Sequence, residues 1–186
     1  MTIDRTNALL NVADRIISVL RANINTLIAD VNSGNGEDFV DLATASFTLP
    51  TFQTAQISLG DPSHAPPMDY PAIRCHSFVV SPTPIVGRSE SRGSTSCQVR
   101  IYVQDTQYAS SAPEPTIVAS LERKAMAMAG VVQSVIEDKT PGASGIYSAE
   151  TLRVSALPAV SDRINPALVK AYELTIKVGV RMRFAN

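Results

Sequence analysis

The chain has 186 residues, 45% of them hydrophobic and 18% charged, with a formal net charge of -1. That length suits one domain with a real core, and the composition leaves no case for wholesale disorder. The near-neutral total argues against a dedicated nucleic-acid binder, whose affinity normally comes from many phosphate-neutralising Lys and Arg side chains.

The charge is unevenly spread. Residues 1–70 carry three basic and eight acidic side chains, whereas residues 71–186 carry thirteen and nine. Twelve of the sixteen basic residues are Arg, which suits planar, bidentate contacts across an interface; a coding bias toward Arg accounts for the count equally well.

Residues 5–32 predict a long amphipathic helix, because Leu9, Ala13, Ile16, Leu20, Ile24, Leu27 and Val31 recur every three or four positions. Asp4 or Thr6 can cap its start, and the run Asn32–Gly36 ends it with residues that tolerate left-handed backbone. At roughly 40 Å such a helix is longer than a small sheet needs for cover, so part of it is expected to pack elsewhere. Asp4, Arg5, Asp14, Arg15 and Arg21 interrupt any apolar run of signal-peptide or membrane-span length, so the protein is expected to be cytosolic when made, with no membrane partner.

Residues 37–72 hold five prolines and no sustained period. A stretch of this length without regular structure is usually an interaction arm, a lid or a disordered segment, and Phe39, Phe47, Leu49, Phe52, Ile57 and Leu59 make it too apolar for simple disorder. We expect an extended arm inserted after the first helix, lying on its own domain or on a neighbour. Phe47, Leu49, Phe52 and Ile57 are the expected contacts, buried against a neighbouring subunit. On that expectation, deletion of residues 44–70 leaves the monomer folded.

Residues 73–80 and 95–104 are strand-like, with the second alternating Cys97, Val99, Ile101 and Val103 against Gln98, Arg100, Tyr102 and Gln104. The segment between them is long for a hairpin turn and reads as a solvated tip carrying Arg88, Glu90 and Arg92. Two cysteines are too few for a disulfide framework; Cys75 and Cys97 are expected to be reduced and buried, facing each other if the strands form a hairpin. A second helix is predicted over 114–139, with Pro115 in its first turn, Ile117, Leu121, Ala125, Met128, Val132, Val135 and Ile136 on one stripe, and a stop at Thr140–Gly142. A third strand near 147–157 then pairs with the last.

That last strand, Tyr172–Phe184, is the most regular element of the chain. Its even positions from Tyr172 to Phe184 are all apolar, while the odd positions hold Glu173, Thr175, Lys177, Gly179, Arg181 and Arg183, a two-residue period that sends one face to a core and leaves a net basic face free. The whole order predicts a single α+β domain over residues 1–186, with a largely antiparallel sheet of about four strands and the long N-terminal and central helices packed on it. The basic face reads as plain solvated sheet or as a partner surface or channel lining, and Arg88, Arg92, Lys177, Arg181 and Arg183 are the candidate contacts.

No catalytic signature stands out. Gly142–Gly145 is one residue short of a nucleophile elbow, and only His64 and His76 offer a base. The Gly87–Thr95 run lacks the Gly-Lys-Ser/Thr ending of a phosphate loop. Cys75 and His76 are neighbours on a strand and point to opposite faces, a poor start for a metal site. Glu137 and Asp138 read as decoration of a helix end. The expectation is no catalytic residue, no metal and no cofactor.

The order of elements, with the N-terminal helix, the central helix Thr116–Lys139, the Pro- and Gly-containing loop after it, and the closing Lys170–Phe184 strand, resembles the tail terminator, or tail completion, proteins of long-tailed bacteriophages. The resemblance covers mainly residues 73–186 and rests on pattern and order. It implies a small α+β virion subunit without enzymatic activity that assembles with itself into a ring, a hexamer in that family. The ring caps the tail tube protein and meets the head-side connector proteins, and DNA passes through its lumen without specific binding. The long 37–72 segment departs from a compact terminator and leaves room for another neck, connector or adaptor role; a cellular oligomeric α+β binding module is the reading from outside that class.

Overall fold

The structure is a computed structural model that describes residues 3–4, 8–34, 48–60, 70–83, 90–105, 115–142, 145–161 and 168–183. Along the chain these form β1 (Ile3–Asp4), α1 (Ala8–Asn32), a short 3-10 turn (Thr54–Gln56), β2 (Ile57–Leu59), β3 (Ala72–Thr83), β4 (Glu90–Asp105), α2 (Pro115–Lys139), β5 (Ile146–Ser161) and β6 (Leu168–Arg183). The class is α+β, with both helices packed on one face of a single sheet.

The sheet runs β5, β6, β4, β3, β2, and β1 lies beside the end of β6 on the same edge as β5. Its long pairings, β3 with β4, β4 with β6 and β5 with β6, are antiparallel. The sheet has six strands among the described residues, above the expected four, because two short strands add parallel pairings at its margins: β1 on β6 and β2 on β3. Asp4 therefore lies in a strand opposite Arg183 and does not cap α1; Thr6 lies outside the described residues.

The alternation read in β6 holds from Tyr172 to Met182; Phe184 lies outside the described residues. Leu174, Ile176, Val178, Val180 and Met182 are fully buried, and Tyr172 is buried with its hydroxyl reaching Glu122 of α2. The helices cover this face through stripes spaced three and four apart, Val12, Ile16, Leu20, Ile24, Ile28 and Val31 on α1 and Leu121, Ala125, Met128, Val132, Val135 and Ile136 on α2. Leu9, read into the α1 stripe, is exposed, and the side chain of Ile117, read into that of α2, lies outside the described set. Gly34, at a φ of 72°, donates its N–H to the Val31 carbonyl and ends α1 in the left-handed geometry that glycine adopts without strain.

Two expectations need correction. Glu90 and Arg92 are strand residues and not part of a loop tip: the β3–β4 ladder continues to Thr83 opposite Arg92, since β6 offers β4 a full-length partner on its other side. The second concerns the arm. Residues 48–57 fold back on the chain's own α1, and Leu49, Phe52 and Ile57 are buried in its own core.

The cause is a row of polar side chains on α1. Asn32 donates Nδ2–H to the Leu49 carbonyl and accepts the Leu49 N–H, Asn25 does the same for Phe52, and Arg21 donates from Nε and Nη2 to the Ile57 carbonyl. Each Asn amide pairs with an extended backbone much as a neighbouring strand would. The contact for these three residues is therefore intramolecular. Deleting residues 44–70 would strip three core side chains, and the expectation that the monomer survives it is withdrawn. Phe47 lies outside the described residues.

Cys75 and Cys97 are buried and reduced, as read from the sequence. They are diagonal neighbours, because Cys75 sits opposite Val99 and Cys97 opposite Ser77, yet their sulfurs lie 3.3 Å apart. The sulfur contact, then burial, pushes the Cys75 thiol well above its usual range. No helix among the described residues is long and apolar enough to cross a membrane.

Candidate functional site

The sheet face opposite the helices is built from the even positions of β4 and the odd positions of β6, with neighbours from β3 and β5 fixed by register. At one end it is closed by its own contacts. Ala72, Tyr102, Val169 and Ala171 form a small apolar cluster there, and in the adjoining row Arg100 donates from Nε and Nη2 to Glu173 at 3.2 and 2.6 Å. Arg74 in the same row donates to the Ser58 hydroxyl at 2.5 Å. Arg74 and Arg100 are directly opposed on β3 and β4, and each has a hydrogen-bond partner within the chain, though only Arg100 has a carboxylate.

The other end differs. Arg92 and Arg181 are directly opposed on adjacent strands and both are exposed, an arrangement in which like charges repel. Lys177 and Arg153 lie farther along the same face, also exposed. None of these four makes an ion pair among the described residues. Glu150, opposite Lys177, is the one exposed carboxylate among the described side chains of this half.

An aromatic ring completes the arrangement. Tyr147, at 42% exposure, lies over Gly179 of β6, and a Cβ placed on Gly179 would fall 2.6 Å from the Tyr147 ring. Only glycine leaves room for the ring to come this close to the strand. The Arg92 guanidinium, reaching across β6 from β4, sits 5.7 Å from the ring centroid. The result is an exposed phenol beside the Arg92 guanidinium on the open face of the sheet.

Of the five basic candidates, the structure thus brings Arg92, Lys177 and Arg181 onto one half-face. Arg183 continues β6 opposite Glu90 by register, with its side chain outside the described set, and Arg88 lies outside the described residues. Tyr147 and Arg153 were missed by sequence reasoning, because bulges in β5 shift the alternation and only the register shows which face each joins. Gly179 was the available signal: a glycine in an otherwise continuous strand marks a close approach.

Elsewhere, a shallow groove of about 330 Å³ between α1 and α2 is lined by Asn23, Asp30, Ser134, Asp138 and Lys139. Glu137 is no idle decoration, since it accepts the Thr151 N–H at 2.8 Å and a bond from Gln133; burial opposes its charge, and these bonds outweigh that and hold its carboxyl below the usual range. Among the described residues no group of three His, Cys, Asp or Glu side chains is placed to hold a metal ion. A scan of protein-family models finds none that matches the chain, and a search of curated proteins finds no match.

Proposed function

We propose that the chain is a structural subunit that assembles with itself into a ring, in the role of a phage tail terminator that caps the tail tube and joins it to the head-side connector. The role is one of assembly and not of catalysis. The observation that supports it is the pair of unlike edges on one sheet. Along β5, whose 16 residues pair on one side with β6, no described strand lies on the other side, and Leu152 and Val154 are 55% and 44% exposed. At the opposite edge β2 covers only Ile73–Cys75, the rest of β3 meets no other described strand on that side, and Leu59 is 51% exposed.

A long strand with open backbone N–H and C=O groups and uncovered apolar side chains is a site of association unless blunted. Two different edges of this kind on one chain favour head-to-tail contact, which closes into a ring when the rotation between neighbours divides a full turn, over a two-fold contact that uses one patch twice. Virion assembly in the host cytoplasm follows from the resemblance to tail terminators.

Blocking one edge at a time tests the reading. Leu59→Asp alone and Leu152→Asp/Val154→Asp alone should each stop growth in sedimentation velocity, while an equimolar mixture of the two should form a one-to-one dimer through the edge each retains. A wild-type chain that stays monomeric at every concentration, or a dimer lost only in the β5 variant, would overturn it.

A further inference from the structure

The two halves of the open sheet face are unlike. At the Tyr102 end every described cation has a partner within the chain: Arg100 is held by Glu173 and Arg74 bonds to Ser58. At the Tyr147 end Arg92, Arg153, Lys177 and Arg181 are exposed with no ion pair among the described residues, and two of them are cross-strand neighbours. Two guanidinium groups are opposed at each end, Arg74 and Arg100 at one and Arg92 and Arg181 at the other. The Tyr102 end sets Glu173 in an ion pair against its two cations, whereas the Tyr147 end carries four exposed cations against one exposed carboxylate, Glu150, which leaves the more concentrated positive field there on a chain whose net charge is -1.

We propose that this half-face binds the phosphate backbone of a single nucleic-acid strand without sequence preference, with Tyr147 as a stacking platform for a base. The opposed pair Arg92 and Arg181 straddles one phosphate, since guanidinium groups on neighbouring strands suit bidentate contact to its oxygens. Lys177, four residues along β6 and so about 13 Å away, and Arg153 on the adjoining strand extend the positive track beyond a single anion. An exposed ring beside such a track is the feature that separates this chemistry from a plain acidic partner. Every base has a face that stacks on an aromatic side chain, whereas a carboxylate has no such face and can take only a hydrogen bond from the phenol.

The ring proposed above is not needed for this site, because all of its groups belong to one chain. No base-specific donor or acceptor is implied, so the contact is to backbone and ring faces alone.

The probe is a fluorescent oligothymidine of about 16 nucleotides, the upper end of the lengths that such surfaces cover, titrated by anisotropy at several salt concentrations with assembly state followed by sedimentation. Single-strand binding through four cations should weaken with log salt at a slope of about -3, and Arg92→Gln and Arg181→Gln should each reduce that slope by about 0.7. The double variant should lose roughly tenfold or more in affinity at low salt. Arg123→Gln, an equal charge change on the exposed side of α2, should leave binding unchanged.

Tyr147→Ala should weaken the oligothymidine and leave polyglutamate binding unaltered. Thermal unfolding of each variant separates loss of contact from loss of fold, and Lys177→Gln/Arg153→Gln provides a second, independent reduction of the slope. Binding that ignores salt, or that survives the Arg92/Arg181 double change, would overturn the proposal. Polyglutamate bound as tightly as the oligothymidine, with no effect of Tyr147, would assign the face to an acidic protein partner instead and equally overturn it. If oligothymidine binding fails while ring assembly persists, the function proposed above stands and this site alone is rejected.

Discussion

Replacing Asn25 and Asn32 by Ala tests the packing of the arm on α1, because those two amides make four hydrogen bonds of 2.8 to 3.0 Å to the backbone of Leu49 and Phe52. A net contribution of about 1 kcal/mol per bond gives about 2 kcal/mol for each side chain. Two effects reduce this. Water reaches the freed backbone groups in part, and Ala is favoured over Asn in a helix by about 0.5 kcal/mol.

Each single change should therefore cost about 1 kcal/mol and the double change about 2 to 3 kcal/mol, a large share of the 5 to 15 kcal/mol typical of a whole domain. In urea unfolding followed by circular dichroism, the double variant should shift the midpoint down by roughly 1 M. Asn11 is exposed on the same helix, so Asn11→Ala isolates the propensity gain and should be neutral or slightly stabilising. Limited proteolysis should cut the double variant within residues 48–57 before the remainder of the domain. If the double variant unfolds at the same urea concentration as Asn11→Ala and resists cleavage there, the amide pairing does not hold the arm.

Three other outcomes are expected. Ile176→Asp or Val178→Asp should unfold the domain, since both positions are fully buried and an unpaired carboxylate there costs several kcal/mol; a cooperative melt near that of the wild type would contradict the assignment of that face. Gly179→Ala should destabilise by about 1 to 3 kcal/mol, because the new methyl overlaps the Tyr147 ring and the Ser148 hydroxyl; adding Tyr147→Ala and Ser148→Ala should recover most of the loss, and no recovery would place the strain elsewhere. The Tyr172 phenol is pushed up to about 12 by burial first and by its bond to Glu122. Its folded value lies above the ordinary value of about 10, so its contribution to stability is complete below about pH 10 and is lost as pH rises toward 12. Tyr172→Phe should flatten the stability profile in that window, and an unchanged profile would refute the coupling.

The parts of the fold legible in the sequence are those whose signal is a period. The even positions of β6 and the three-and-four spacing of α1 and α2 decide faces by themselves, because burial of an apolar stripe is the dominant favourable term. The ends of β3 and β4 were not legible. Ser91 and Ser94 look like loop, and they lie in a strand because β6 pairs along the whole of β4. Likewise the arm carries no period, and its place was set by side chains on another element. The row Arg21, Asn25 and Asn32 reads as ordinary helix surface until its partners are known, although Asn is a poor residue for a helix interior and its presence there is a faint signal. In the candidate site, Lys177 and Arg181 were visible from β6 alone. Tyr147 and Arg153 depended on the bulges of an edge strand, which local pattern does not encode.

Negative-stain electron microscopy of the purified wild-type chain, imaged over a range of concentrations, tests the central claim of head-to-tail assembly through the β5 edge and the β2/β3 edge most directly. The account predicts closed rings of constant diameter that grow in number with concentration and vanish on Leu152→Asp/Val154→Asp. Compact two-fold dimers as the largest species at every concentration, or rings unaffected by that change, would contradict it.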